Sequence, residues 1–489
     1  MHSTPLHIRV RLCLPATLVL VFLMGTGCAS YTDHIREAQQ AIVHGQPSMA
    51  VDILNKQLDV DRSEELPAHL KKNNVLLLLE RATLLQALGH YELAARDMSI
   101  VDQHLDWLDI DQVDSVQLAR YLYSDSSSGY RAPPYERLML NTLNMINFLA
   151  MGALDGARVE ARRFHLMERF FLDEGDRAVM PQLIGLGYYL AGASFEASRD
   201  YDTAARHYTR AWVMGVRPGD LRYRLIDLIR VTGYQGRDLD GEERKIFMDL
   251  LFESDRRGAM TTADYRKHHQ EGDTLIIVQS GLVPYRQAER IPIGAALAYS
   301  RRSRSGHSMT VVQYNQAQSL SARGLLKWVN FPTLTSTGLP SRSQVRLSVG
   351  PSALPTGQTI GISQQVSQSW NELAGSLMAA AITRLITRAI AGEASRAVTD
   401  VTAQSQGMAA PAAGVLGWLA GMAVEGSMAA ADTPDTRSWT TLPAGITLTR
   451  VKLERGMHMV EAHIGGQSDR QTAGVFEDRF TVVNFSRLR

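Results

Sequence analysis

"ERATLLQALGHYELAARDM", residues 80–98, carries an apolar helix face that runs to Leu88, breaks at Gly89 and restarts at Tyr91, with Ala94 soon after. Apolar residues at helical spacing build one buried face, and a small residue at the restart lets a second helix approach closely. The stretch reads as two helices joined by a tight turn. Three others share its grammar: "EAQQAIVHGQPSMAVDILN" (37–55), "NMINFLAMGALDGARVEARR" (144–163) and "GYYLAGASFEASRDYDTAARHYTRAW" (187–212). The first half of the chain is nearly free of strand alternation, so residues 28–255 are expected to form one helical domain.

The pattern resembles the tetratricopeptide repeat, which carries small residues in its first helix and at the start of its second, with a Gly-x-Tyr turn between. Residues 80–98 match best, through Ala82, Gly89, Tyr91 and Ala94. The stretch 187–212 supplies Gly192, Tyr201, Ala204, Tyr208 and Ala211 but has Arg199 in place of the turn glycine. Ala38, Gly45 and Ala50, and Gly152 and Ala157, carry the other two matches. Their spacing exceeds the usual period of about 34 residues and varies. The resemblance implies a degenerate solenoid, whose concave face suits an extended peptide or partner protein. A plain helical bundle satisfies the same 3.6-residue periodicity.

"PPYERLMLNTLNMINFLAMGALDGARVEARRF" (133–164) resembles more specifically a family of uncharacterised, repeat-bearing bacterial outer-membrane lipoproteins. The likeness lies at Tyr135, Glu136 and Arg137, and at Ala157, Arg158, Val159, Glu160, Arg162 and Arg163. "DTRSWTTLPAGITLTR" (435–450) is similar to the same family. The resemblance implies a setting beside other small lipoproteins, including ones similar to the curli secretion channel. Tyr135, Glu136, Arg137, Glu160, Arg163, Arg437 and Trp439 are therefore the candidate partner-binding residues. Glu160 and the paired Arg162 and Arg163 read as a catalytic cluster or, in preference, as a buried ion network: Glu160 reaches Arg163 on one helical face, and such pairs fix packing or meet a partner. Arg437 and Trp439 are of the types enriched at interfaces; equally, Trp439 would tie the neighbouring helical insertion back to the β domain.

"LVLVFLMGTGCAS" (18–30) decides the compartment. A spanning helix needs about 20 apolar residues, whereas this run is broken by Pro15 and ends at Gly25, Thr26 and Gly27, behind Arg9 and Arg11. A basic start, apolar middle and small-residue end make a secretory signal over residues 1–27. Small residues before a cysteine resemble a bacterial lipoprotein signal, which implies that Cys28 is acylated by fatty chains such as palmitate and becomes the mature N-terminus. Gly25 stands where that family prefers Leu. Ala29 and Ser30 after the cysteine, with no Asp, resemble the form sent to the outer membrane of Gram-negative cells and facing the periplasm. The chain has 2 cysteines, one of them Cys13 inside the leader, so no internal disulfide or cysteine-based zinc site is expected. Loss of Arg9 and Arg11 takes the formal charge from +1 to −1, and nothing in that balance favours nucleic acid.

Past about residue 270, short runs rich in β-branched residues and bounded by Gly, Pro and Ser read as strands: "DTLIIVQSG" (273–281), "AALAYS" (295–300), "MTVVQYN" (309–315), "SQVRLSVG" (343–350), "GITLTRVKL" (445–453), "MHMVEAHIGG" (457–466) and "DRFTVVNF" (478–485). The expected fold class is α+β: the helical repeats, then a sandwich-like β domain at 270–489 interrupted by an Ala/Gly-rich helical insertion at about 365–432. The first insertion helix has a stripe of Met378, Ala381, Ile382, Leu385, Ile386, Ala389 and Ile390, with Arg384 and Arg388 opposite. The second stretch, 408–431, has Gly417 and Gly421 at close-packing spacing, but Pro411, Glu425 and its low hydrophobicity oppose a membrane span.

No serine-nucleophile elbow, phosphate loop or His-Glu-x-x-His is present, and no enzyme activity or cofactor is expected. Adjacent His268 and His269 point apart in a helix or strand, a poor metal pair. "SRRSRSGH", with Arg301, Arg302 and Arg304, is a solvated loop or meets lipid headgroups. The expectation is a lipid-anchored scaffold that binds partner proteins, lipoproteins among them, in an envelope assembly; homo-oligomers are left open. The alternatives are a subunit of an oligomeric outer-membrane pore or secretion complex acting through the 371–431 hairpin, and a hydrolase without a recognisable motif.

Overall fold

The computed structural model describes residues 31–70, 73–104, 106–107, 130–171, 180–301, 309–335, 344–405, 434–477 and 479–489. The leader with Cys28, Arg302 and Arg304 of the basic run, and the second insertion stretch with Pro411, Gly417, Gly421 and Glu425 lie outside these residues.

The fold is α+β, with helices in the first half and strands in the second. The helices are α1 (Tyr31–Val43), α2 (Pro47–Gln57), α3 (Asn74–Ala87), α4 (Tyr91–His104), α5 (Pro134–Met151), α6 (Leu154–Phe171), α7 (Pro181–Ala197), α8 (Tyr201–Val213), α9 (Leu221–Thr232) and α10 (Gly241–Arg257). A two-residue parallel bridge, β1 (Asp106–Trp107) with β2 (Arg131–Ala132), precedes α5. Proline opens α2, α5 and α7, where its missing N–H costs nothing. Consecutive helices pair as hairpins, and each hairpin packs on the next. Ala38, Ala50, Ala82, Ala94, Ala157, Ala204 and Ala211 are all buried. Gly192 lies against the Tyr208 ring, where a Cβ would meet ring carbon at 2.5 Å. The α3–α4 turn needs a left-handed residue and has Gly89 at φ +82°, whereas the α7–α8 turn places Arg199 there at φ +64°.

Every residue from Val75 to Gln86 in α3 and from Leu183 to Glu196 in α7 is buried, as is Tyr135–Asn147 in α5. A helix buried on all sides must be covered by two layers. One layer is the second helices α4, α6 and α8. The other is a sheet of order β12 (Thr481–Arg487), β3 (Asp273–Leu282), β9 (Pro443–Lys452), β8 (Gln358–Gly361), with β12 parallel to β3 and the rest antiparallel. Strand alternation divides β3 between two cores: Leu275 and Ile277 join the helices, while Ile276 and Val278 face the second sheet. That sheet runs β11 (Gln467–Val475), β10 (Gly456–Ile464), β6 (Val345–Val349), β7 (Ser352–Ala353), and its Leu347, Val460 and Ala462 share a core with Val483 and Phe485 of β12. The result is helices, sheet and sheet in layers. Strand β12 runs along the turn ends of the hairpins. Arg479 just before it lies at Gly152, Tyr91 donates to the Asn484 carbonyl at 3.4 Å, and Arg489 lies at Gly45.

A third core has a ribbon of β4 (Tyr285–Pro292) and β5 (Trp328–Thr335) under α12 (Ile293–Ser300), α13 (Val311–Ala322) and α14 (Ile362–Ser405). Here two expected strands are helices. Residues 295–300 belong to α12, because Pro292 at φ −57° starts a turn that the alanines of "IGAALAYS" continue. Residues 311–315 open α13, because Thr310 and Gln313 form a capping box that closes the free N–H groups of a helix end. Conversely, β4, β5, β7, β8 and β11 form outside the runs that read as strands. In α14, Met378, Ala381, Ile382 and Ile386 are buried and Leu385 and Ala389 pack against the same core, while Ile390 is exposed. The segment Ile362–Ile390 is long and apolar enough to cross a membrane by length and composition, and 61% of its apolar window is buried inside the protein.

Between α10 and β3 lie α11 (Thr262–Tyr265) and a π-helical turn, Arg266–Gln270. His268 bonds the Asp264 carbonyl at 2.8 Å, whereas buried His269 pairs with Asp227 at 2.8 Å. The two rings face different partners.

Candidate functional site

Residues 434–442, which lead into β9, form a buried strap against the first helices of the hairpins. Its anchor is Trp439, 1% exposed, whose indole N–H donates to Thr83 at 2.9 Å and Thr441 at 3.2 Å. Two carboxylates read the strap backbone. Glu80 of α3 accepts the amides of Thr440 and Thr441, both at 2.8 Å, and the hydroxyls of Thr440 at 3.0 Å and Tyr31 at 3.3 Å. Glu136 of α5 accepts the Trp439 amide at 3.0 Å and the Tyr130 hydroxyl. Burial pushes the Glu80 carboxyl up to about 7 against the pull of those bonds to Thr441 and Thr440. Burial raises Glu136 too, opposed by Arg286 and by its bonds to Tyr130 and Trp439.

A third carboxylate completes the series. Glu196 near the end of α7 meets Arg450 of β9 at 2.9 Å and also Arg224 of α9. Asp273 of β3 binds both arginines, and the hydroxyls of Tyr208 and Tyr265 donate to Glu196 at 2.7 and 2.5 Å. Burial works to raise this carboxyl, but Arg224 and Arg450, with the two tyrosines, hold it down at about 2. Between these clusters, Gln86 donates to Asn147 at 2.7 Å and to the Leu143 carbonyl at 2.8 Å, while Gln279 donates to Gln86 at 2.9 Å and to Asn484 at 3.0 Å. One polar line thus joins α3, α5, β3 and β12. Each of α3, α5 and α7 offers one glutamate to the strap or the strand that continues it.

This placement corrects the expected partner surface. Tyr135, Glu136, Arg137, Glu160, Arg437 and Trp439 are all buried, each under 7% exposed, so the chain's own segments take up the groups expected to meet a partner. Arg437 forms a two-pronged pair with Asp435, at 2.7 and 2.9 Å, and lies 5.8 Å from the Tyr130 ring centre. Tyr135 donates to Glu136 at 3.4 Å. Trp439 and its neighbours tie the strap to the helical array through Thr83, Glu80 and Glu136, while Ser438 and the Leu442 carbonyl accept the amides of Arg286 and Val283 on the β side. The Glu160–Arg163 pair is real at 3.0 Å, with Asn141 donating to Glu160 at 2.9 Å and Asp102 of α4 at 3.5 Å from Arg163. Arg137 lies 3.8 Å from Asp102, and burial lowers its guanidinium to about 9. These groups bind α4, α5 and α6 together. Only Arg163, 37% exposed at its side chain, reaches solvent substantially.

Glu80 and Glu196 escaped the sequence reading although both sit in quoted stretches. Their signal is a carboxylate inside a largely apolar first helix, next to Arg81 in "VLLLLERATLL" and alone in "LAGASFEA". Among the described residues, no group of three or more His, Cys, Asp or Glu is arranged to hold a metal ion. Comparison with family models, curated proteins and solved structures found no match for this chain.

Proposed function

We propose that the protein is a lipid-anchored, periplasm-facing outer-membrane scaffold that binds partner proteins in an envelope assembly, with its hairpins acting as tetratricopeptide-like repeats. The observation that carries this reading is the cis occupation of the inner helix faces by the strap and sheet. Glu80, Glu136 and Glu196 hold the layers together, which supports a rigid frame that meets partners by its outer surface. The leader and Cys28 supply the address, and two or more acyl chains give stable anchoring.

Labelled fatty acid is expected in the wild-type chain and not in Cys28→Ala, which should leave the membrane fraction. A photo-crosslinking residue at Leu166, 52% exposed on α6, should capture envelope proteins in the anchored form. An unlabelled chain with its leader intact would sink the address, and an anchored chain with no crosslinked product at α4, α6 or α8 positions would sink the scaffold.

The apolar segment Ile362–Ile390 favours a second reading, a subunit of an outer-membrane pore. Its stripe already packs against α12, α13 and β5, which supports the scaffold instead. A chain with Cys28→Ala and lacking residues 371–431 distinguishes them: membrane retention that disappears only with the deletion supports the pore.

A further inference from the structure

Helix α10 closes the helical array and buries only one side, through Phe247, Leu250, Leu251 and Ser254. Its other side exposes Ile246, Met248 and Phe252, at 37%, 44% and 64%, beside Tyr223 of α9 at 56%. Ile246 and Phe252 share the face opposite the buried one, on either side of Asp249, while Met248 stands on its flank and Tyr223 lies 5.9 Å from the Arg257 guanidinium. A groove of about 510 Å³ lies towards the end of this face, with Phe252 among the charged side chains of Arg222, Asp249, Glu253, Arg256 and Arg257.

Charge order distinguishes this face. At 100° per residue, Glu242, Lys245, Ile246, Asp249, Phe252, Glu253 and Arg256 fall in a stripe about 120° wide centred on Asp249. Acidic residues occupy the first turn and arginines the last. A second α10 laid antiparallel across the stripe puts Glu242 opposite Arg256 of the other copy. The turn with Lys245 and Ile246 then meets the turn with Phe252 and Glu253. The arrangement is self-complementary in both charge and apolar surface, as an isologous contact requires. The two Asp249 side chains meet at the axis, bordered in the same groove by Arg222, which pairs with Glu253 of its own chain at 2.7 Å.

We propose that α10 is the contact surface for a second copy of this chain, paired antiparallel about a two-fold axis at Asp249. A helix of 17 residues spans about 25 Å, so a single such pair buries an area at the low end for stable complexes. The pair therefore exchanges, and trapping is the suitable readout.

The test is disulfide trapping of the full chain in intact cells. Asp249→Cys should give a linked dimer on mild oxidation, above the background of the chain with its native cysteines, while Val312→Cys, 65% exposed on α13, should not. In the Asp249→Cys chain, Glu242→Arg and Arg256→Glu should each lower the linked fraction about fivefold or more, since either one replaces both symmetry-related Glu242–Arg256 pairs with like charges. The two together should restore it. No dimer at 249, equal trapping at 312, failure of the double reversal to rescue, or a link to a protein of another mass each overturns the proposal.

Discussion

Arg199 occupies a turn that three sister hairpins close with glycine, and its φ of +64° is costly for any residue with a Cβ. Its side chain is exposed, so Arg199→Gly removes strain while leaving the core intact. The expected gain is about 0.5–1 kcal/mol, read as a higher urea midpoint; an unchanged or lower midpoint contradicts it. Glu80 bears on pH. Its carboxyl rises from 4.5 to about 7 in the folded chain, so the fold holds the proton more tightly than the unfolded state does. That contribution is fully present below pH 4.5 and is lost as pH rises through 7, a swing of about 3 kcal/mol. Glu196 has the opposite sign: its contribution is present above 4.5 and is lost as pH falls through about 2. Between pH 5 and 8, wild type should therefore lose stability relative to Glu80→Gln, which cannot ionise. Parallel pH profiles for the two proteins would refute this assignment.

Elements were legible where one period dominated. Strands β3, β6, β9, β10 and β12 alternate or run apolar because at least one face meets a core, and the helix hairpins show a 3.6-residue stripe with alanine contacts. The failures have local causes. The Val-Val of 311–312 looks like strand, but the cap at Thr310 and Gln313 decides for helix and leaves both valines exposed. Strand β11 turns only Ala473 and Val475 fully inward, and β4 and β5 carry Pro292 and Pro332, so their composition hides them. The strap is legible as special but not as internal, because its partners Glu136 and Glu80 lie 303 and 360 residues earlier and no local pattern links them. Trp439→Ala should cost about 3–5 kcal/mol through the cavity and the Thr83 bond lost. It should also open residues 434–442 to limited proteolysis. Proteolysis unchanged from wild type would show that the strap is held without its anchor.

At the scale of the whole molecule, the helical array lacks the usual independence of stacked repeats, in which each hairpin contacts only its neighbours. Its largest core includes Leu275, Ile277, Ile446 and Leu448 from the sheet together with Leu76, Met139 and Ile184 from α3, α5 and α7. Removing the sheet would expose one full side of three apolar helices, strip Glu80 and Glu136 of their strap bonds and leave Glu196 without Arg450. Exposed apolar faces of that extent drive association. A chain ending at residue 271 should therefore keep helical content yet aggregate or bind a hydrophobic dye, with its near-ultraviolet circular dichroism lost. Co-expression with residues 272–489 should restore a soluble complex, since the two pieces meet over the whole sheet face. If residues 31–271 alone were monomeric, soluble and cooperatively folded, the inner helix faces would be an open groove in their own right, and the strap a ligand that the array can do without.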